Sequence, residues 1–176
     1  MTRTISVGPL SAQENELLEL VKEAQNLAIR EIKPGIQAKH VDLTCRNFLD
    51  DKGYGDLFIH GTGHGVGFFL NVHEGPQSLS KNNKVKLKSG MIISNEPGYY
   101  KEGHFGIRIE NLIYINQNKF EELTLAPIEK KLIEKKLLDK NEIKWLNKYH
   151  AKVKKNLSKF MNIQEKTSLI DACSPI

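Results

Sequence analysis

The spacing of the hydrophobic residues changes near residue 57, and this change constrains the fold more than any other feature of the sequence. Before it, apolar residues recur at helical spacing over 11–32 and over 38–52, with a Pro-Gly pair between the two stretches. After it, short apolar runs flanked by glycine continue to about residue 116 and are typical of β-strands. The first two thirds of the chain therefore predict two helices followed by a sheet.

Helical spacing returns near the C-terminal end. Asp139 and Glu142 form a capping pair before a predicted helix over about 140–160, as Ser11 and Glu14 do before the first helix. A short helix over 163–172 is predicted last. Helices, then strands, then helices indicate an α+β fold, in which helices flank an antiparallel sheet.

The strands are predicted from β-branched residues and flanking glycines. The runs MIISNEPGYY, from Met91, and FGIRIENLIYI, from Phe105, are the clearest of them. Two shorter strands are expected over Val85–Leu87 and over 122–128.

Composition excludes several classes of protein. No apolar run reaches the ~18–20 residues that would cross a bilayer, and the N-terminal residues lack the apolar core of a secretory signal. The two cysteines, Cys45 and Cys173, stand far apart and in no CxxC pattern, which favours a reducing compartment and predicts a cytoplasmic protein. No membrane partner is expected.

The net charge of +5 comes mainly from the lysine-rich segment between Lys119 and Lys166. A nucleic-acid surface would combine basic residues with aromatic ones. Here the lysines alternate with glutamates and leucines, a pattern typical of a solvated helical face. We therefore expect no nucleic-acid partner.

Four short motifs carry the residues suited to chemistry. They are HGTGHGVG from His60, HEGP from His73, NEPG from Asn95 and RIEN from Arg108. Imidazole and carboxylate groups are ligands suited to Mn, Zn, Fe or Co, and strand ends can aim them at one point.

Each motif also has a simpler interpretation. A histidine among glycines is usually structural, Glu96 before Pro97 could begin a turn, and Glu110 could pair with Arg108. The apolar neighbours of Glu110 nevertheless place its charge near the core, where it needs a partner or a metal. The joint occurrence of the motifs, and no single one, predicts a site.

Together the motifs HGTGHGVG, HEGP, NEPGYY and GIRIEN resemble the C-terminal catalytic domain of Xaa-Pro aminopeptidases (aminopeptidase P), metallopeptidases of the pita-bread family. The start TRTISVGPLSAQE and the tail LTLAPIEKKLI are similar to the same family, so the resemblance covers essentially the whole chain. It implies a truncated pita-bread (creatinase/aminopeptidase-like) α+β fold with an antiparallel curved sheet. Residues 1–125 would be part of the catalytic domain, and 126–176 a helical extension of the aminopeptidase P type.

The resemblance also implies roles for individual residues. His64, Glu96 and Glu110 match metal ligands, and Glu110 matches the one that bridges two metals. His60 and His73 match histidines that bind the substrate and steady the tetrahedral intermediate. Arg108 matches an arginine that orients neighbouring acids, and we group it with His60 and His73 as catalytic.

The implied reaction is hydrolysis of the bond between an N-terminal residue and a following proline, so the expected partner is a peptide with proline at its second position. Manganese is the implied cofactor, with zinc or cobalt as alternatives.

One departure from the family pattern affects the metal count. The family site has five ligands, and two of them are aspartates upstream of the motif that Thr2-Arg3-Thr4 matches. No acidic residue precedes Glu14 in this chain. His64, Glu96 and Glu110 would then hold at most one of the family's two ions. We expect the 176 residues to behave as a C-terminal fragment with little or no activity by themselves.

Two other hypotheses about function remain open. The chain could be a non-catalytic pita-bread-like module that binds a peptide or protein. It could also be one half of a split enzyme, completed by a complementary N-terminal polypeptide or by the mate in a homodimer. The intact histidines and glutamates speak against the binding module, because such a module needs no set of metal ligands.

Overall fold

The computed structural model describes residues 1–69, 71–117 and 120–176. They group into two compact units. The first contains 1–3 and 20–124, and the second contains 4–19 and 125–176. Within the described residues, no helix combines the length and the apolar character needed to cross a membrane. The predicted division at 125–126 into a catalytic part and a helical extension stays a prediction.

Two helices begin the chain, as predicted. Helix α1 covers Ala12–Glu31 and α2 covers Ala38–Asp51. The side chains and amides of Ser11 and Glu14 bond to each other reciprocally at the start of α1, which confirms the predicted capping box. Gly53, just beyond α2, adopts a φ of 81°, a left-handed conformation that glycine reaches without steric cost.

An antiparallel five-stranded sheet forms the centre of the first unit. Its strands, in chain order, are β1 Gly63–Val66, β2 Ser78–Leu79, β3 Ile92–Asn95, β6 Asn111–Ile115 and β7 Phe120–Glu122. Their order across the sheet is β2-β1-β3-β6-β7. A separate hairpin, β4 Gly98–Lys101 with β5 Phe105–Arg108, lies in sequence between β3 and β6. Together with α1 and α2, this arrangement confirms the α+β expectation.

The core of this unit lies between the helices and one face of the sheet. Ala24 and Ala28 of α1, Val41 of α2, and Ile93 and Ile113 of the central strands belong to one buried cluster. Because side chains alternate along a strand, Ser94 and Glu96 point away from the face to which Ile93 belongs. Ser94, and Glu96 just beyond β3, are therefore presented on the side opposite the helices, whereas the side chain of Asn95 lies on the helix side and bonds to α1.

Two strand predictions were wrong in detail. Val85–Leu87 forms only an isolated bridge at Lys86, because its backbone bonds to the turn before α2 instead of to the sheet. The strand expected over 122–128 lies earlier, at Phe120–Glu122. There the Oγ1 atom of Thr124 accepts the amide of Leu112, so a side chain replaces a ladder bond and regular pairing ends.

The second unit is helical. After two short 3-10 turns at Lys130–Leu132 and Lys135–Leu137, α3 covers Lys140–Leu157 and α4 covers Ile163–Ala172. The Asp139–Glu142 capping box is present at the start of α3. Helix α3 ends at Leu157 instead of residue 160, because the chain tightens into a 3-10 turn over Ser158–Phe160.

Candidate metal centre and its cleft

Three potential metal ligands meet on the sheet. One ligand atom each from His64, Glu96 and Glu110 lies within 4.8 Å of the other two. His64 belongs to β1, whereas the glutamates stand one residue beyond the paired positions Asn95 and Asn111 of β3 and β6. The antiparallel register therefore places the two carboxylates side by side, and the predicted convergence of these three residues is observed.

The predicted path between the two glutamates was only partly right. We expected two continuous strands joined by the loop Tyr99–Phe105. Instead, each strand is interrupted at its glutamate, and the intervening residues form the hairpin β4–β5, whose turn is Glu102–His104. The carboxylates thus project from short irregular segments at the end of the β3–β6 ladder.

The hydrogen bonding of His64 determines which of its two ring nitrogens carries a proton. Its Nδ1 atom lies 2.8 Å from the carbonyl oxygen of Gly65, so Nδ1 carries a proton and donates it. Its Nε2 atom lies 3.2 Å from Oε1 of Glu96. A neutral imidazole would then face a carboxylate lone pair with a lone pair of its own. The pair requires a proton or a cation between the two atoms, and a backbone carbonyl on the far nitrogen is the usual partner of a metal-binding histidine.

Glu96 is held from two further directions. The Ser94 hydroxyl donates to Oε1 of Glu96 at 3.0 Å and accepts the backbone amide of His64 at 2.9 Å. On the other side, Nη1 of Arg108 lies 3.9 Å from Oε2 of Glu96. Ser94 therefore connects two of the three candidate ligands, and Arg108 lies beside Glu96, while the orienting role that the family resemblance implies for Arg108 stays a prediction.

Glu110 is the most buried of the three, with a side chain 7% exposed. The Thr2 hydroxyl donates to its Oε2 atom at 2.8 Å, and the Met1 ammonium lies 3.3 Å from Oε1. The amide of Glu110 donates to the Thr2 carbonyl, and the Arg3 guanidinium donates to the carbonyl of Glu110. Thr2 and Arg3 thus fix the backbone and the carboxylate of Glu110, a role that the sequence did not predict.

An open cleft of about 540 Å³ adjoins two of the candidate ligands, His64 and Glu96. His60, His64, His73, Glu96 and Arg108 all line it. The ring of exposed His73 packs edge-on against the ring of His64, with centroids 4.0 Å apart. The expectation that His60 and His73 share the cleft of His64 agrees with this geometry, whereas their catalytic roles stay a proposal.

Tyr100 belongs to the same site but was not predicted. Its hydroxyl lies 2.7 Å from Nε2 of His60, whose Nδ1 atom lies 2.7 Å from the Gly61 carbonyl. Burial raises the pKa of Tyr100, and the nearby Arg108 opposes that rise. The phenol therefore stays protonated at neutral pH and can donate to His60. Alternation along a single strand could not have revealed it, because Glu96 lies beyond the end of β3 and Tyr100 belongs to β4 of a separate hairpin.

A buried ion pair on α2 supports the segment that carries His60. Asp42 and Arg46 pair through two contacts of 3.2 Å. The Arg46 guanidinium also donates to the carbonyls of Phe58 and His60, each at 2.8 Å. Oδ1 of Asp42 accepts both the amide and the hydroxyl of Thr62. The signal in the sequence was a pair of opposite charges four residues apart beside the apolar face of α2.

The same network reaches a metal-ligand candidate. The carbonyl of Thr62, whose amide is held by Asp42, accepts the amide of Glu96 at 2.7 Å. Next along the chain, a Cβ atom added at Gly63 would lie 2.0 Å from the Ser94 carbonyl oxygen. A glycine is therefore required at position 63 for β1 to approach β3 this closely.

Comparison with known proteins places these residues in a family. A model of metallopeptidase family M24 matches residues 1–117, and a model of the C-terminal region of peptidase M24 matches residues 117–176. Together the two matches cover the chain.

Individual relatives agree. A probable Xaa-Pro aminopeptidase P of Tuber melanosporum is 42% identical over 86% of this chain and 27% of its own length. Aminopeptidase P2 of Arabidopsis thaliana is 40% identical over 90% of this chain and 24% of its own. The crystal structure of a Caenorhabditis elegans X-prolyl aminopeptidase, described as cytosolic with a di-nuclear active site, superposes with a TM-score of 0.86. It is 37% identical, over 99% of this chain and 31% of that one. The chain spans about a third or less of the length of the curated relatives that it matches.

Proposed function

The chain belongs to metallopeptidase family M24 and has its α+β pita-bread fold, and we propose that its residues form part of the site of a metal-dependent Xaa-Pro aminopeptidase. Such an enzyme removes an N-terminal residue that precedes proline. The observation that carries the proposal is the convergence of His64, Glu96 and Glu110 beside a cleft lined by His60 and His73.

The three converging residues fit a divalent cation of the borderline class, such as manganese, zinc or cobalt. Because Nδ1 of His64 carries the proton, the lone pair of Nε2 is the one that can bind the ion. Both carboxylates are already oriented by hydrogen bonds. When bound, the ion supplies Lewis-acid activation of a peptide carbonyl and of water. Manganese is our first choice because the family resemblance implies it.

These residues hold one ion at most. Within the described ranges, no other histidine, cysteine or acidic side chain joins the cluster of His64, Glu96 and Glu110. The two aspartates that the family resemblance adds would have to reach this point from other residues, either of a longer or complementary polypeptide or of a second copy of the chain.

Three residues of the cleft have separate roles toward the bound peptide and the ion. His60 is fixed by the Gly61 carbonyl and the Tyr100 hydroxyl, so its ring keeps one orientation beside the scissile bond. His73 is exposed and stacks edge-on against His64, where it can donate to the oxygen of a bound peptide. Arg108, near Glu96, keeps the neighbouring acid oriented.

The substrate is a peptide with proline at its second position, as the names of the relatives indicate, and the enzyme acts in the cytoplasm, as described for the Caenorhabditis elegans protein.

A chimera tests the proposal. These 176 residues would replace the matching third of the Caenorhabditis elegans X-prolyl aminopeptidase, which they superpose over 99% of their length. We expect the chimera to cleave a proline-containing tripeptide in the presence of manganese, and the chimeras with His64→Ala or Glu110→Gln to lose that activity.

Exposed Gln13→Ala, on α1, is the matched control and should leave the rate unchanged. A folded chimera that binds the peptide without cleaving it would instead favour the non-catalytic module.

A further inference from the structure

One side chain of α1 contacts the backbone at both interruptions of the central strands. Gln25 is fully buried. Its Nε2 group donates to the carbonyl of Asn95 at 3.1 Å and to the carbonyl of Ile109 at 2.7 Å. The Asn95 side-chain amide in turn donates to the backbone carbonyl of Gln25 at 3.0 Å. A single amide group thus joins the ends of two strands to a helix.

The two carbonyls precede the two carboxylate ligands directly. Asn95 is followed by Glu96, and Ile109 by Glu110. Because a peptide unit is planar, fixing a carbonyl also fixes the amide nitrogen and Cα of the next residue. Gln25 therefore constrains the start of both glutamates, although it contacts neither carboxylate.

Regular sheet pairing does not supply this constraint. The β3–β6 ladder ends at the pair Asn95 and Asn111, and neither Glu96 nor Glu110 belongs to a strand. Ala24, Ala28 and Ile29 of α1 belong to the apolar cluster that the helix shares with the sheet, and they offer no hydrogen bond to either strand end. A methionine at position 25 could fill nearly the same volume, but it offers no donor to either carbonyl, whereas the amide of Gln25 offers two.

We infer that Gln25 is a positioning residue, which sets the separation of the Glu96 and Glu110 carboxylates by holding both strand ends to α1. The purpose of that separation rests on the proposed metal site. The constraint itself does not, because it is a property of the backbone.

The decisive measurement is amide hydrogen exchange of the metal-free 176-residue chain. The amide of Glu96 bonds to the Thr62 carbonyl and that of Glu110 to the Thr2 carbonyl, so both amides report local opening. In Gln25→Met we expect their exchange to accelerate at least about tenfold relative to an amide inside the ladder, such as that of Ile113.

Gln25→Asn provides a second variant with a milder change. It retains the amide but is one methylene too short to span both carbonyls, so it should accelerate exchange at one or both glutamates. Ile29→Ala, one turn further along α1, is the control. It weakens the packing of the same helix without removing a bond to either strand end.

Exchange that accelerates equally at Ile113, or that stays unchanged at Glu96 and Glu110, would overturn the inference. The first result would show that Gln25 has only a general role in stability. The second would show that the strand ends keep their positions without Gln25.

Manganese titration by calorimetry separates this inference from the proposed function. We expect Gln25→Met to bind manganese about tenfold more weakly than the wild-type chain, and Ile29→Ala to bind it equally well. If the wild-type chain binds no manganese, the proposed metal site fails, while hydrogen exchange still decides the role of Gln25. Equal affinity of Gln25→Met and the wild-type chain would contradict the link between Gln25 and the metal.

Discussion

The Nε2 atom of His64 lies 3.2 Å from Oε1 of Glu96, and the hydrogen bond from Nδ1 of His64 to a carbonyl leaves both atoms as acceptors when the imidazole is neutral. Two facing acceptors repel each other unless a proton or a cation lies between them. This relationship carries more information than the clustering alone, because exposed acidic groups often cluster without binding anything.

The first prediction concerns metal stoichiometry. The 176-residue chain should bind no more than one manganese ion, since three ligand atoms converge among the described residues. His64→Ala and Glu110→Gln should each weaken that binding at least about a hundredfold, because one of three ligands is lost and the remaining ones cannot complete a site. Equilibrium dialysis with elemental analysis measures both quantities, and two tightly bound ions per chain would contradict the prediction.

The buried ion pair on α2 should be costly to break. Arg46→Met leaves Asp42 charged and buried without its partner, so we expect the free energy of unfolding to fall by about 3–5 kcal/mol. The matched control is Arg30→Met, which removes the exposed contact between Arg30 and Glu23 and should cost about 0–1 kcal/mol. Urea unfolding followed by circular dichroism compares the two. Equal losses would show that the pair does not support the His60 segment.

Gly63 should tolerate no side chain. The methyl group of Gly63→Ala would lie 2.0 Å from the Ser94 carbonyl, so β1 and β3 must separate, at a cost of about 1–3 kcal/mol or more. Gly8→Ala is the control, because nothing lies within 4 Å of its added carbon. Thermal unfolding should show a lower midpoint for the first variant alone. An unchanged midpoint in Gly63→Ala would mean that the two strands are not held this closely.

Cys45 should make stability depend on pH in the alkaline range. Burial raises the pKa of its thiol to about 12, partly opposed by the Thr62 hydrogen bond, with Asp42 raising it further. Between the unfolded pKa, about 8.5, and about 12, the unfolded chain loses a proton that the folded chain retains. The free energy of unfolding should therefore fall as pH rises, by up to about 1.4 kcal/mol per pH unit. Cys45→Ala should remove that part of the slope in urea unfolding between pH 8 and pH 10.5, and an unchanged slope would contradict the assignment.

His73 should affect catalysis without affecting the metal. In the chimeric enzyme, His73→Ala should lower kcat at least about tenfold while the manganese content stays normal, because the ring borders His64 but is absent from the ligand cluster. Exposed His104, on the turn between β4 and β5, offers a control, since His104→Ala should change neither quantity. Loss of manganese together with activity would show that His73 helps to hold the ion.

The sequence revealed the elements that local signals define. The capping boxes at Ser11 and Asp139 and the glycine after α2 fixed helix ends to within a residue or a few. The residues alone indicated that Glu110, a charge among isoleucines, needs a partner, whereas the grouping of His64, Glu96 and Glu110 as metal ligands came from the resemblance of the four motifs to one family.

Other parts of the site depend on tertiary contacts that no local pattern encodes. The runs from Met91 and from Phe105 each read as one strand, yet each divides at its glutamate between two sheets. Gln25 looks like an ordinary helix residue in the sequence, and the spacing of Asp42 and Arg46 indicates an ion pair on α2 but not the carbonyls that Arg46 reaches. The importance of Gln25 and Arg46 lies in the carbonyls they reach, at distances of 70 and 12 residues for Asn95 and Phe58 respectively. Such contacts follow only once the helices are placed against the sheet.

The interruption of both central strands also separates the carboxylate spacing from the length of the hairpin between them. Asn95 opposite Asn111 closes the loop at its base, so residues added at the exposed tip around Gly103 would extend the hairpin outward without changing that closure. The tip of β4–β5 is therefore a natural place to insert a fluorophore-binding tag or an affinity peptide, and a label there would report on this protein without disturbing the candidate metal ligands.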